Sequence, residues 1–241
     1  MGAWARTPLR FGFILVVTVA FAGVGQLVRG VSRTGAMVGG MVCFVLFGCV
    51  GPGAFAALFS VFAITWLATR MGRVRKLRLG TAERRDGRTA SQVLANLGIA
   101  TLCAVMFAWT GSRYFLLAMA AALAEAAADT VSSECGQARS ESAYLITTFE
   151  LVPAGTDGGI TWVGTLTGAG AALLVSAVCL LTGMRDHWIW IPVVSGVLGM
   201  LADSYLGALV ERRGWMGNDA VNFASTAIAA AIAAGLLRLM E

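Results

Sequence analysis

Charge is scarce in this chain, and so are the residues on which many catalytic constellations depend. Only 13% of its 241 residues are Asp, Glu, Lys or Arg, about half the roughly 25% usual in soluble domains. One histidine, His187, excludes zinc sites of the HExxH kind and Ser-His-Asp triads. One lysine, Lys76, with no glycine-rich lead before it, excludes a Walker A loop. The five cysteines form no CxxC pair, and four lie in apolar stretches, where they read as small helix-packing residues. The two-residue alternation of a membrane β-barrel is missing as well.

Apolar sequence is abundant. Hydrophobic residues make up 58% of the chain and the mean hydropathy is +0.77, too little polar surface to cover a water-soluble globule. Lipid is then the main solvent, and backbone groups in lipid must be paired internally, which favours helices. The sequence predicts an all-α polytopic transmembrane helix bundle with about seven or eight spans and no soluble domain. The spans fall near 11–28, 35–50, 54–69, 90–110, 113–130, 160–182, 188–210 and 218–239. The second and third are short for the ~20 residues a crossing needs. The N-terminus carries Arg6, Arg10 and a small-residue Ala20-Phe21-Ala22 segment, as signal peptides do, but its apolar run is long enough to span and reads as a retained first helix. The whole of 1–241 reads as one membrane domain, with loops 70–89 and 131–159 contributing part of a site.

The positive-inside rule orients the bundle. The stretch from Arg70 to Arg88 holds eight of the 18 basic residues. With that loop in the cytoplasm, 13 basic residues lie inside and five outside (Arg6, Arg10, Arg113, Arg185 and Arg238). The expected location is the inner or plasma membrane, with any active site facing the cytoplasm. Such a loop also suits contact with anionic membrane lipids.

Under this topology the unusual polar residues gather at one face. Asp129 and Glu134 flank the end of the fifth span, and Asp203 lies towards the end of the seventh. Asn218, Asp219 and Asn222 open the eighth; Arg88 opens the fourth, with Asn96 two turns deeper; Thr156-Asp157-Gly158-Gly159 opens the sixth. Asp219 and Asn218, taken alone, read as helix caps. Asp129 and Asp203 are harder to dismiss, because C-terminal helix ends disfavour anions, and Glu125 adds a like charge one turn before Asp129. A divalent cation or an arginine would compensate. Mg²⁺ prefers carboxylate oxygens and bridges to substrate phosphates, Gly158-Gly159 at a helix N-terminus suits a phosphate cradle, and Arg84 and Arg88 could neutralise phosphate charge. Ion-coupled transporters also use intramembrane carboxylates, so transport stays open.

Four segments carry a family resemblance: Gly87-Arg88-Thr89 through Asn96; Ala128-Asp129-Thr130-Val131-Ser132-Ser133-Glu134; Leu145-Ile146-Thr147-Thr148 through Ile160; and Asp203-Ser204-Tyr205-Leu206-Gly207 with Asn218-Asp219-Ala220-Val221-Asn222. In this order, over roughly residues 70 to 240, the chain resembles an integral-membrane family that includes plant phytyl-phosphate kinase and human transmembrane protein 19. Val131 stands where that family has tryptophan, and Ala128 where it has glycine. The resemblance implies phosphoryl transfer from a nucleotide, CTP or ATP, to an isoprenyl monophosphate such as phytyl or geranylgeranyl phosphate. Asp129, Glu134, Asp203 and Asp219 are the expected catalytic residues and Mg²⁺ ligands. Arg84, Arg88, Asn96, Thr147, Thr148, Gly158, Gly159, Asn218 and Asn222 are the expected nucleotide- and phosphate-binding residues. The partners are the isoprenyl phosphate lipid, the nucleotide and membrane lipids; no nucleic acid is expected. The rival readings are a prenyl alcohol kinase acting on phytol or a polyprenol, and an ion-coupled membrane transporter.

Overall fold

Runs of Ala, Leu, Val and Gly without internal proline breaks form helices, and the breaks fall where caps are available. The computed structural model describes residues 8–83, 85–182, 188 and 190–241; Arg6, Arg84, Arg185 and His187 lie outside these. The described elements are α1 (Pro8–Leu27), α2 (Arg33–Cys49), α3 (Pro52–Arg70), α4 (Arg73–Leu79), α5 (Ala90–Thr110) and α6 (Arg113–Arg139). They continue as β1 (Ser142–Leu145), β2 (Leu151–Pro153), β3 (Gly159–Ile160), α7 (Trp162–Leu181), α8 (Trp190–Leu206), a π-helical segment (Gly207–Glu211) and α9 (Asn218–Met240). Seven of these helices are long and apolar enough to cross a membrane, and α2 is shorter. The expected all-α membrane bundle is therefore what the chain forms. Ser32, Thr89 and Thr161 cap α2, α5 and α7 by accepting from the N–H groups of Gly35, Gln92 and Gly164, supplying acceptors for donors a helix start leaves unpaired.

The core is built around α6. Its spanning window is 78% buried, against 17–44% for the other six long helices, and α3, α5, α7, α8 and α9 all pack on it. The reason lies in its side chains: Ala118, Ala120, Ala121, Ala122, Ala124, Ala126, Ala127 and Ala128 are all buried. Methyl groups let helix backbones approach closely, which drives association where lipid is as apolar as the protein.

Three expectations need correction. The fifth span does not end at Thr130; α6 continues to Arg139. Val131, Cys135 and Gly136 stay buried while Ser133, Glu134 and Gln137 line a polar cavity, so the extension is helical although it is polar on one side. The remainder of the 131–159 loop holds strands rather than coil, in a small antiparallel sheet of order β2-β1-β3. Ser142 pairs with Pro153 and Leu145 with Gly159. The sixth span starts after its N-cap Thr161, so Gly158-Gly159 belong to the sheet and its turn.

Successive helices run in opposite directions, which gives the bundle two ends. At one end Arg113 and Tyr114 both donate to Glu241, and Thr182 Oγ1 lies 3.4 Å from the Gly53 carbonyl. The other end carries the longer connections. There Val31 and Arg88 form a parallel bridge: Ser32 N–H donates to the Arg88 carbonyl at 2.9 Å, and Arg88 N–H donates to the Gly30 carbonyl at 3.1 Å. Gly87, at φ +79, lies so close that a Cβ there would meet the Gly30 carbonyl carbon at 2.5 Å. Only glycine fits both that approach and that conformation.

Candidate active site

Arg88 is held by this stitch on one side and by helix α5 on the other. Thr89 and Gln92 form a capping box, with Thr89 N–H donating to Gln92 Oε1 at 2.7 Å, so two donors at the helix start are satisfied reciprocally. The Arg88 guanidinium thereby reaches α6 and donates to Thr130 Oγ1 at 3.1 Å. About two turns into α5, Asn96 is buried and donates from Nδ2 to the Gln92 carbonyl at 2.9 Å.

Next to Thr130 lies the acidic centre. Glu125 and Asp129 sit one turn apart on α6, and Asp203 comes from α8. Asp129 and Asp203 are in hydrogen-bonding contact, with Glu125 within electrostatic reach of both. Ser225 of α9 donates to Asp203 Oδ2 at 3.0 Å. Glu125 is only 1% exposed, and its Oε1 has no hydrogen-bond partner among the described residues. Gly196 and Gly199 allow this crowding: a Cβ on Gly199 would meet Glu125 Cγ at 2.6 Å. A carboxylate at the bilayer centre costs about 2.5–3.5 kcal/mol on insertion scales, and carboxyls in contact repel unless a proton or a cation lies between them. Packing alone gives no reason to hold three of them together.

A polar cavity of about 160 Å³ opens beside this centre. Asp129, Glu134, Arg88, Asn96, Asn218 and Asn222 all line it, with Thr130, Ser133 and Gln92 between them. Glu134 is anchored by Lys76, whose Nζ lies 2.5 Å from Glu134 Oε2 and also donates to the Thr69 carbonyl at 2.7 Å. Lys76 is 1% exposed. Hydropathy and topology give no sign of this pairing, since a lysine in a basic loop normally faces water. Glu125 was visible in the sequence as a like charge beside Asp129, but its place in the acidic centre was not. Glu211, in the π-helical segment, is a further acid close enough to feel Asp129 and Asp157.

Other expected residues lie elsewhere. Thr147 and Thr148 are exposed at the β1–β2 turn, where Thr148 Oγ1 donates to Glu150 at 3.2 Å. Gly158 is pressed against the backbone of Ala208, and Gly159 N–H is used by the Thr156 carbonyl at 2.8 Å; the glycines serve a close approach between sheet and π segment. Asp219 is half-buried in the first turn of α9 and does not line the cavity, although Asn218 and Asn222 beside it do. Asp129 and Asp203 do not owe their character to helix ends, because α6 and the α8–π segment both continue past them. What makes them unusual is that both are half-buried and packed beside the fully buried Glu125. Arg84 lies outside the described residues.

The four carboxylates expected to share a metal therefore do not form one nest, and no group of three or more acidic, histidine or cysteine side chains among the described residues is arranged to hold an ion by itself. The donors present still suit a hard cation such as Mg²⁺. They are all oxygen, Asp129 is common to the acidic centre and the cavity, and Mg²⁺ needs only one or two carboxylates when waters and phosphate complete its shell.

Apolar helices around an alanine-lined centre, with an acidic cluster and a fixed arginine towards one end of the bundle, define a polytopic membrane protein. The chain belongs to the DUF92 family of integral membrane proteins, whose model matches residues 16–230. It is 32% identical over 225 residues to an uncharacterized membrane protein of Methanocaldococcus jannaschii, covering 92% of each chain. It is 29% identical over 221 residues to Protein VTE6, chloroplastic, of Arabidopsis thaliana, covering 88% of this chain and 66% of that one. Protein PGR of the same plant is 28% identical over 235 residues, 86% of this chain and 80% of the relative. No solved structure matches. The membership agrees with the resemblance carried by the four segments.

Proposed function

We propose that this protein is a membrane phosphotransferase that moves the γ-phosphoryl group of CTP or ATP to an isoprenyl monophosphate, with phytyl or geranylgeranyl phosphate as the acceptor class. The observation that carries this reading is the cavity lined by the acids Glu83, Asp129 and Glu134 together with Arg88, Asn96, Asn218 and Asn222. A site of mixed sign at the end of a membrane bundle suits phosphate groups accompanied by a divalent cation, and suits neither an apolar ligand nor a bare anion. The family resemblance supports the acceptor class.

In the proposed reaction an oxygen of the acceptor's phosphate bonds to the γ-phosphorus while the β–γ bridging P–O bond breaks. The products are the prenyl diphosphate and the nucleoside diphosphate. The attacking oxygen is already anionic, so no strong general base is needed, and catalysis is mainly positioning and charge neutralisation. Arg88 binds phosphate oxygens through its fork of donors, its loop held by the bridge to Val31. Asn96, Asn218 and Asn222 orient phosphates through their amides. Lys76 fixes Glu134 in one rotamer. Mg²⁺ held by Asp129 and Glu134 would supply charge neutralisation at the phosphates.

The test is transfer from labelled CTP or ATP to phytyl or geranylgeranyl monophosphate by the purified protein in detergent with Mg²⁺. Labelled prenyl diphosphate, lost in Asp129→Asn, is the expected result. Transfer to geranylgeraniol instead would make the protein an alcohol kinase. Absence of transfer to either acceptor would overturn the phosphotransferase reading and favour ion-coupled transport. The basic connections at the site's end support a cytoplasmic orientation, which labelling of cysteines introduced into loop 70–89 would test.

A further inference from the structure

A second, larger cavity lies against the first. It has a volume of about 520 Å³, within the roughly 300–1,000 Å³ common for small-molecule sites, and it runs between α1, α2, α3 and α5. Its two ends differ in chemistry. Phe21, Leu58, Val61 and Phe62 line the deep part, while Arg29, Arg70, Arg73, Arg85 and Arg88 line the end near the loops. Leu58 and Arg70 both belong to α3, and at 1.5 Å rise per residue the lining spans about 18 Å along that helix.

Two of the arginines are held in place at a cost to the backbone or by specific contacts. Arg29 has φ 54, a conformation uncommon outside glycine and one that clusters at ligand sites. Arg70 lies over the Trp66 ring, 4.2 Å from its centroid, and donates to the Val28 carbonyl at 2.5 Å. Among the described residues Arg29, Arg73 and Arg85 have no ion-pair partner. Glu83 is the sole acid in the lining. Glu83, Arg88 and Asn96 line both cavities, so they form the wall between the amphipathic space and the carboxylate pocket, with Arg88 as its cation.

We propose that this cavity seats the lipid acceptor: a single isoprenyl chain in the Phe21–Leu58–Val61–Phe62 end, with its phosphate among the arginines and against Arg88. This rests on the phosphotransferase reading and deepens it, because it divides the substrates, with the lipid on one side of Arg88 and the nucleotide triphosphate on the carboxylate side. A nucleotide fits the larger cavity poorly. The polar side chain nearest the deep end, Thr65, donates its hydroxyl to the Phe62 carbonyl and leaves little to read a base edge, whereas an amphiphile matches the gradient from apolar interior to cationic mouth.

The test is equilibrium binding of labelled geranylgeranyl monophosphate to the purified protein without nucleotide, so that the readout does not depend on turnover. Gly39 lines the cavity, and a Cβ there meets nothing within 4 Å, so Gly39→Phe plugs the space directly. Binding is expected to weaken at least ten-fold in Gly39→Phe and in the independent plug Val61→Trp, which serves if the first variant fails to fold. Gly170→Phe, on the exposed side of α7 with equally open surroundings, is expected to bind as the parent does. Undiminished binding in the plugged variants would overturn the assignment, as would displacement of the lipid from this cavity by CTP or ATP in simple competition. If the plugs abolish binding but no transfer occurs with any acceptor, the cavity assignment stands and the kinase reading fails. If transfer occurs and the plugs bind normally, the reverse holds.

Discussion

The only lysine of the chain, Lys76, is buried with its ammonium 2.5 Å from the Glu134 carboxylate, across 58 residues of sequence. This ties the short helix α4 to the far end of α6 and leaves Glu134 facing the polar cavity in a fixed position. Removing one member of a buried ion pair strands the other charge and costs about 3–5 kcal/mol. Lys76→Met is therefore expected to lower the thermal unfolding temperature in detergent markedly. Lys76→Met with Glu134→Gln is expected to recover most of the loss, because a neutral amide needs no counter-charge. A double variant as unstable as the single one would show that Lys76 acts through its carbonyl contacts to Ala68 and Thr69 instead.

Asp129 and Asp203 are in contact, and only Asp129 of the two lines the cavity. Asp129→Asn is expected to reduce phosphoryl transfer at least 100-fold while the protein elutes and melts as a folded species. Asp203→Asn is expected to reduce transfer as well, through the position of Asp129. Thr148→Ala, at an exposed turn away from the cavity, is expected to stay within two-fold of the parent. Steady-state transfer rates for the three variants check this, and a severe loss in Thr148→Ala would relocate the site towards the sheet.

Arg88 presents a planar fork that a point-charged ammonium cannot copy. Arg88→Lys keeps the charge but is expected to weaken nucleotide or acceptor affinity about ten-fold, and Arg88→Ala further. Titration of either substrate against folded protein provides the measurement. Equal affinity in Arg88→Lys and the parent would reduce the role of Arg88 to its charge.

Gly158 has φ +77 and lies against the Ala208 backbone. Gly158→Val meets both constraints at once and is expected to destabilise the protein by about 1–3 kcal/mol from backbone strain alone. The unfolding temperature should fall, whereas Gly170→Val, in open surroundings, should leave it nearly unchanged. Loss of phosphate affinity in Gly158→Val at unchanged stability would restore the phosphate cradle expected from the sequence.

Much of the architecture was legible in the sequence because apolar run length is set by bilayer thickness, and the spans other than the fifth fall close to their expected positions. The convergence of Asp129, Glu134, Arg88, Asn96, Asn218 and Asn222 on one cavity was legible too, since alternating helix direction decides which ends meet. The extension of α6 was not. Hydropathy averages over both faces of a helix, and here Val131, Cys135 and Gly136 are buried while Ser133, Glu134 and Gln137 line the polar cavity, so the segment resembled a loop. The strands were hidden by their length of two to four residues, too short for an alternating pattern. Lys76 was misjudged because charge in a loop carries no signature of its partner, and Gly158 because the same residue serves an anion cradle and a tight backbone crossing.

The stitch between Gly30–Val31 and Gly87–Arg88 has a consequence for how the molecule is made. A chain is synthesised from its N-terminus, so the acceptor strand at Gly30 exists well before its mate. Arg88 can reach it only after α2 and α3 have both been made and have folded back to the same end of the bundle. The arginine end of the larger cavity is thus closed late, and a nascent chain interrupted before Gly87 carries Phe21, Leu58, Val61 and Phe62 together with Arg29, Arg70 and Arg73, but lacks the arginine that closes the mouth.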